Sequence, residues 1–133
     1  METHVKNVVR EMTRSSDEER IAFPEVVKSL MEAGIERYHA DLIVHTKTYY
    51  TPEGDFEVVP CREGGAVAQR FDALAIQKAI RGAQTQEIKY REFCARIAAA
   101  GCVGYFVTMT GRCAVYYGRD METHVELFPG AKP

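Results

Sequence analysis

Apolar residues recur every three to four positions in two stretches near the start of the chain, which is the spacing of one helix face. The first stretch follows Thr3, a candidate N-cap, and its apolar positions are Val5, Val8, Val9 and Met12. Residues 15–19 are polar and predict a turn. The second stretch begins at Pro24, whose missing N–H suits a first helical position, and stops at Gly34, a typical left-handed helix end.

From residue 36 the period of apolar positions changes to two, which is typical of half-buried strands. Strands are predicted over 36–42, 45–50 and 56–59. A two-residue turn at Ile43-Val44 is expected to join the first two strands. The first half of the chain therefore predicts two helices followed by a three-stranded antiparallel meander.

The same pattern of apolar and polar positions returns in the second half of the chain. Gly34 corresponds to Gly101, and the pair Tyr49-Tyr50 corresponds to Tyr116-Tyr117, so the offset in numbering is constant over this stretch. The closing prolines, Pro60 and Pro129, are two positions further apart, which predicts a short insertion in a loop of the second half. We interpret the recurrence as an internal duplication.

The duplication predicts an α+β fold in which a helix-helix-three-stranded-meander unit occurs twice within one compact domain, residues 1–133. Repeat 1 spans about 3–60 and repeat 2 about 71–129, with a linker at 61–70. A three-stranded meander and two helices cannot bury their apolar faces alone, so the two units should cover each other. One continuous antiparallel sheet and two packed sheets both satisfy this pattern.

The composition is ordinary for a globular protein, with 46% hydrophobic and 27% charged residues among 133. A net charge of -2 leaves no basic surface for nucleic acid or an anionic membrane. The apolar runs are shorter than a membrane span, and no secretory leader is visible. The four cysteines form no CxxC pair, so we expect free thiols, a reducing cytoplasmic location, no metal and no cofactor.

Comparison of the two halves separates positions that serve folding from positions that have diverged. In the first hairpin of each half, one strand face is apolar in both copies. The opposite face is polar in the first copy and apolar in the second. This difference predicts the candidate ligand-binding residues His39, Asp41, Thr48 and Tyr50.

His39 and Asp41 lie two positions apart on one strand and therefore share a face. A neighbouring carboxylate raises the pKa of an imidazole and orients its ring, which suits a general base or a metal ligand. The alternative is a solvated sheet face on which any polar residue serves. Because further ligands on this face are not predicted, we expect no metal site and assign no catalytic residue.

The first hairpin also ends in an apolar tip, where the second half has Met109-Thr110-Gly111. An exposed apolar tip favours contact with another chain, as does the apolar outer face of the second hairpin. We therefore expect a homodimer. The candidate interface residues are Leu42, Ile43, Val44, Phe106 and Val115.

Three segments resemble the YdfO/YbcV-like family of small bacterial and prophage-associated proteins, sometimes labelled phage envelope proteins. They are AGIERYHAD at 33–41, AGCVGYFV at 100–107 and YYGRD at 116–120, and the resemblance extends over roughly residues 23–129. It implies an α+β fold and no established activity, and it transfers no catalytic residue. The envelope label finds no support in the residues themselves.

Two function classes stay open from the sequence. The favoured one is a non-enzymatic binding or protein-interaction module of prophage or bacterial origin that forms a homodimer. The alternative is a small-molecule-binding protein or enzyme with a pocket around His39, Asp41 and Tyr50. The partner is accordingly an unidentified protein or small molecule.

Overall fold

The computed structural model describes residues 1–131, which form four helices and six strands. In the first half these are α1 (Thr3–Asp17), α2 (Phe23–Glu32), β1 (Arg37–Asp41), β2 (Thr46–Tyr50) and β3 (Phe56–Pro60). In the second half they are α3 (Ala73–Gln84), α4 (Tyr90–Ala99), β4 (Gly104–Thr108), β5 (Cys113–Tyr117) and β6 (Thr123–Leu127). The predicted α+β fold is confirmed, and each half has the same order of elements.

All six strands form one antiparallel sheet in the order β3-β2-β1-β4-β5-β6, which decides between the one-sheet and two-sheet alternatives. The halves meet where β1 pairs with β4, and His39 lies opposite Phe106, its counterpart in the second half. On either side of this pair, Tyr38 lies opposite Val107, the counterpart of Ala40, and Ala40 lies opposite Tyr105, the counterpart of Tyr38. A local twofold axis through the His39–Phe106 pair would produce this register, so the internal duplication stays our interpretation of the fold.

The constant offset between the halves continues through the third strand of each. β3 follows β2 after residues 51–55, and β6 follows β5 after residues 118–122, so the two connections have equal lengths. Pro60 therefore corresponds to Leu127 and not to Pro129. The predicted insertion is wrong, because one proline ends its strand whereas the other lies beyond the end of β6.

The core lies between the helices and one face of the sheet, the inner face. Its fully buried side chains include Val9 and Leu30 from the first two helices and Ile76 and Ile97 from the other two. The sheet contributes Tyr38, Ala40, Tyr49, Val59, Tyr105, Val107, Ala114 and Tyr116. Among residues 1–131, no residue of this core cluster comes from the opposite face of the sheet.

Both predicted glycine stops end helices in the left-handed region, with φ of 86° at Gly34 and 85° at Gly101. The carboxylate of Asp72 caps α3 by accepting the N–H of Ala75 at 3.0 Å. The predicted N-cap Thr3 instead lies inside α1, whose N-cap is Glu2 without a side-chain cap.

The polar run predicted to end the first helix lies largely inside it. Ser15 and Ser16 belong to α1 and are buried. The Ser15 hydroxyl donates to the Glu11 carboxylate at 2.9 Å, so burial leaves it satisfied. The helix continues to Asp17, and the chain turns at Glu19, where φ is 60°.

The first two strands of each half are joined by four residues, 42–45 and 109–112, whereas a two-residue turn was predicted at Ile43-Val44. The left-handed positions are His45 with φ of 60° and Arg112 with φ of 53°, whereas Gly111 is not among them. The register is nevertheless the one that a two-residue turn would give. The predicted strand faces are therefore unchanged.

Residues 61–72 connect β3 at one edge of the sheet to α3 and run along α4. The N–H of Ala68 donates to the carbonyl of Ala98 at 2.9 Å, which holds the connection against that helix. A Cβ on Gly101 would lie 2.1 Å from the carbonyl oxygen of Arg70. The positive φ and this close approach both require glycine at 101.

Candidate functional site

The face of the sheet that points away from the core, here named the outer face, holds the four predicted ligand-binding residues. The registers align its side chains in three rows across the six strands. The central row is Val58, Thr48, His39, Phe106, Val115 and Val125. One flanking row is Phe56, Tyr50, Arg37, Thr108, Cys113 and Leu127. The other is Pro60, Thr46, Asp41, Gly104, Tyr117 and Thr123. Of these three rows of six, only Arg37 and Asp41 carry a full charge.

His39 occupies the centre of the outer face beside its cross-strand neighbour Thr48. Its Nε2 atom lies 2.6 Å from the hydroxyl of Tyr117, and its ring centroid lies 4.4 Å from that of Phe106. Tyr117 reaches His39 over Gly104, where a Cβ would lie 2.4 Å from the tyrosine hydroxyl. The glycine therefore makes room for this hydrogen bond.

The carboxylate of Asp41 is engaged in the turn that follows β1. It accepts the N–H of Ile43 at 2.9 Å and that of Val44 at 3.1 Å. The counterpart residue Thr108 does the same in the second half, since its hydroxyl accepts the N–H of Gly111 at 3.0 Å. A role found in both halves belongs to folding, so the predicted pairing of Asp41 with His39 loses its main support.

Burial lowers the pKa of His39, and the charge of Asp41 opposes that shift without reversing it. The net direction is opposite to the predicted rise, because desolvation of the imidazolium outweighs attraction to a carboxylate already occupied in the turn. Burial also raises the pKa of the Tyr117 phenol. At neutral pH the pair is therefore an uncharged hydrogen bond.

Tyr50 lies at the other end of the hairpin, where the Arg37 guanidinium stacks 4.2 Å from its ring centroid. It belongs to one flanking row and Asp41 to the other, with His39 and Thr48 between them. The four predicted ligand residues thus share a face but do not converge on one point.

The predicted interface residues divide between the core and the surface. Leu42 packs against the core, whereas Ile43 and Val44 at the hairpin tip are 50% and 62% exposed. Phe106 is 39% exposed on the outer face, and Val115 beside it is half-buried. Further large apolar side chains exposed on this face are Phe56, Val58, Val125 and Leu127.

A cavity of about 620 Å³, here named the helix-side cavity, lies between the inner face of β4–β6 and the helices. Tyr105 and Tyr116 on the sheet and Phe93 on α4 line it, together with the loops that precede α2 and α4. A second concavity of about 690 Å³ is a polar groove along α3 and α4 that includes Arg81 and Glu92. Neither is lined by any of the four predicted ligand-binding residues.

Sequence reasoning missed the helix-side cavity because it treated the inner face of the hairpins as apolar in both copies, which is wrong at the buried Lys47. On the inner face, Lys47 of β2 corresponds to Ala114 of β5. Lys47 is 4% exposed, and its ammonium lies 5.0 Å from the ring centroid of Tyr90 and 5.8 Å from that of Tyr38. Burial lowers the pKa of Lys47. The available signal was a lysine in the first half at a position where the second half has an alanine.

The four cysteines are free thiols, with Cys94 and Cys102 buried and Cys61 and Cys113 half-buried. Burial raises the pKa of Cys61 and of Cys102 to about 11, so both are protonated at neutral pH. Across residues 1–131, no three His, Cys, Asp or Glu side chains cluster as a metal site would require. In the same span, no helix has the length and apolar character needed to cross a membrane.

Comparison with known proteins gives a family and relatives but no activity. Residues 56–126, from the start of β3 into β6, match a family described as "Protein of unknown function (DUF1398)". The "Uncharacterized protein Rv2012" of Mycobacterium tuberculosis and the "Uncharacterized protein Mb2035" of Mycobacterium bovis are each 29% identical to this chain over 113 residues. The aligned region covers 84% of this chain and 69% of each relative.

Proposed function

Since the chain belongs to the DUF1398 family of proteins of unknown function, we propose from its own surfaces that it is a non-enzymatic interaction module. It forms a homodimer by packing the outer face of its sheet against that of a second copy. The observation that carries this proposal is the composition of the outer face. Of eighteen side-chain positions only two are charged, and five large apolar side chains are exposed.

In an antiparallel sheet with one face on the core, the residues of each strand alternate, and those on the solvent-facing side are normally polar. Here Phe56 and Val58 on β3 are 58% and 49% exposed, Val125 on β6 is 54% exposed, and Phe106 on β4 lies between these two edges. Exposed apolar side chains concentrated on one face mark interaction sites. The apolar hairpin tip at Ile43 and Val44 extends this surface beyond the end of β1.

The size of the outer face suits a stable dimer. Six strands about 4.8 Å apart and five residues rising about 3.4 Å each give a sheet of roughly 29 Å by 17 Å. The two copies together would then bury about 1,000 Å² of flat sheet area, without the additional surface of interdigitating side chains. This area reaches the lower bound of a specific interface.

Charge complementarity selects the direction of the dimer axis. A twofold axis along the central row places each flanking row against the other flanking row of the second copy. Arg37 of one copy then faces Asp41 of the other, whereas His39 and Phe106 face their own equivalents. An axis along the strands would oppose these charges to uncharged residues.

The proposal includes a cytoplasmic location, supported by four unpaired cysteines, two of them buried. It also retains a prophage or bacterial origin, which rests on the likeness of the three motifs to the YdfO/YbcV-like family.

Light scattering coupled to size exclusion tests the dimer directly. The wild type should show twice the chain mass of 15.0 kDa. Val125→Glu and Phe106→Glu should each shift the protein to the monomer with an unchanged circular dichroism spectrum. Leu74→Glu is the matched control, because Leu74 is 59% exposed on α3, away from the outer face. A wild type that stays monomeric at 50 µM, or glutamate variants that stay dimeric, would refute the proposal.

A second candidate function, small-molecule binding around His39, Asp41 and Tyr50, is favoured by one observation, the hydrogen bond between His39 and Tyr117. A thermal-shift screen of small molecules against wild type and His39→Ala tests it. A hit that disappears in the variant would support the site, and equal responses would remove His39 from any binding role.

A further inference from the structure

The helix-side cavity exists because the two halves fill their inner faces differently. In the first half the long side chain of Lys47 occupies the space between β2 and α4, with its ammonium beneath Tyr90. In the second half the same position is Ala114, and the cavity opens over it. At about 620 Å³ it has the size of a small-molecule site.

The lining of this cavity specifies the chemistry of its occupant. Phe93, Tyr105 and Tyr116 supply aromatic surface, and aliphatic walls come from Ile80 and Ile88. Apolar cavities of this kind take up apolar molecules in preference to water.

Polar recognition inside the cavity comes from neutral groups. Burial raises the pKa of Tyr105 and of Tyr116, so both phenols remain protonated and donate hydrogen bonds at neutral pH. The carboxylate of Glu126, at the edge of the cavity, is paired with Arg81 and hydrogen-bonded to His124. Arg20 and Lys89 also line the cavity, but both are exposed to solvent. A charged ligand group placed among the buried aromatic side chains would lose its hydration, which is costly.

We propose that the helix-side cavity binds a neutral, largely apolar small molecule that carries an aromatic ring and one hydrogen-bond acceptor. The ring would lie against Tyr105 and Phe93, and the acceptor would receive the hydroxyl of Tyr105 or Tyr116. This binding site lies on the opposite side of the sheet from the proposed dimer surface and does not depend on it.

Prodan, a neutral fluorescent naphthylamine whose ketone oxygen is a hydrogen-bond acceptor, tests the proposal by its fluorescence increase on binding. Wild type should bind it at low micromolar concentration with one site per chain. Ala114→Leu, which fills the cavity from the sheet, should weaken binding at least tenfold. The matched control is Lys47→Leu at the equivalent position of the first half, which should leave the affinity within twofold.

Two further variants keep the test decisive. Ala83→Leu fills the cavity from α3 and should also weaken binding tenfold, should Ala114→Leu fail to fold. Val125→Glu on the outer face should change the affinity less than twofold, which separates the cavity from the exposed sheet. The proposal is overturned if wild type shows no fluorescence increase at 50 µM, if folded cavity-filling variants bind as well as wild type, or if Val125→Glu abolishes binding.

Discussion

Replacing Lys47 by methionine should stabilise the protein. Lys47 is buried on the inner face against two aromatic rings, and within residues 1–131 no carboxylate lies within 4.0 Å of its ammonium. Methionine has similar length, fills the same space and carries no charge. The change Lys47→Met therefore removes a desolvated ammonium while keeping the packing.

The magnitude follows from two opposing contributions. Replacing buried ionic groups by apolar side chains of similar volume gains up to about 4 kcal/mol. The lost attraction between the ammonium and the Tyr90 and Tyr38 rings costs about 0.5–2 kcal/mol. The expected net gain in the free energy of unfolding is about 1–2 kcal/mol at neutral pH, or roughly 4 °C in Tm per kcal/mol.

The gain should depend on pH in a defined direction. Burial lowers the pKa of Lys47 in the folded state below its ordinary value of 10.5. Between the two pKa values the unfolded chain binds more protons, so this group makes the wild type more stable as pH rises. The advantage of Lys47→Met is therefore largest below the folded pKa and shrinks as pH approaches 10.5.

Urea unfolding of both proteins between pH 6 and 10 measures this difference, since the titrating tyrosines and cysteines are common to both. The control is Lys78→Met on the exposed side of α3, which should change stability by less than about 0.5 kcal/mol. If Lys47→Met loses more than about 1 kcal/mol at pH 7, the buried ammonium is net favourable and the reasoning fails.

Three further predictions concern the fold, each measured by urea unfolding. Gly101→Ala should cost more than about 3 kcal/mol or prevent folding, because its Cβ would lie 2.1 Å from the carbonyl oxygen of Arg70. Gly34→Ala should cost only about 1–2 kcal/mol, because no other atom lies within 4 Å of its added Cβ and only the positive φ is unfavourable. Equal costs would contradict this. Thr13→Val should cost about 1–3 kcal/mol because it leaves the buried hydroxyl of Tyr49, 2.7 Å away, without its partner, and Thr13→Ser should retain most of that stability. Asp41→Ala should cost about 1 kcal/mol by freeing two turn N–H groups. A hit of the thermal-shift screen that disappears in this variant would argue against a purely structural role for Asp41.

Much of the fold could be predicted from spacing alone because its signals are local. Gly34 and Gly101 mark helix ends by their conformational freedom, and alternation identifies the strand faces whichever turn joins them. Two local predictions failed because side-chain hydrogen bonds to near neighbours in the sequence overrode the expectation from composition. Ser15 is polar, but a carboxylate in its own helix satisfies its hydroxyl. The predicted two-residue turn at Ile43-Val44 is a four-residue turn in which Asp41 accepts backbone N–H groups.

The candidate site was harder to predict because its properties depend on partners distant in sequence. The hydrogen bond of His39 comes from Tyr117, which is 78 residues away and reaches it only because residue 104 lacks a side chain. The pKa of His39 follows burial, which a sequence does not display. The helix-side cavity depends on a volume difference between Lys47 and Ala114 that matters only once both are known to be buried.

A residue difference between equivalent positions of the two halves can therefore be interpreted only when the burial of both side chains is known. On the outer face the change from Asp41 to Thr108 looked functional by residue type, yet both side chains accept turn N–H groups and the role is the same. On the inner face the change from Lys47 to Ala114 exchanges a filled space for a cavity, and no neighbouring side chain replaces the lost volume. When the residues of both halves make equivalent contacts, as Asp41 and Thr108 do, their role is in folding. A difference that leaves an unfilled cavity costs packing energy and is therefore the better guide to function.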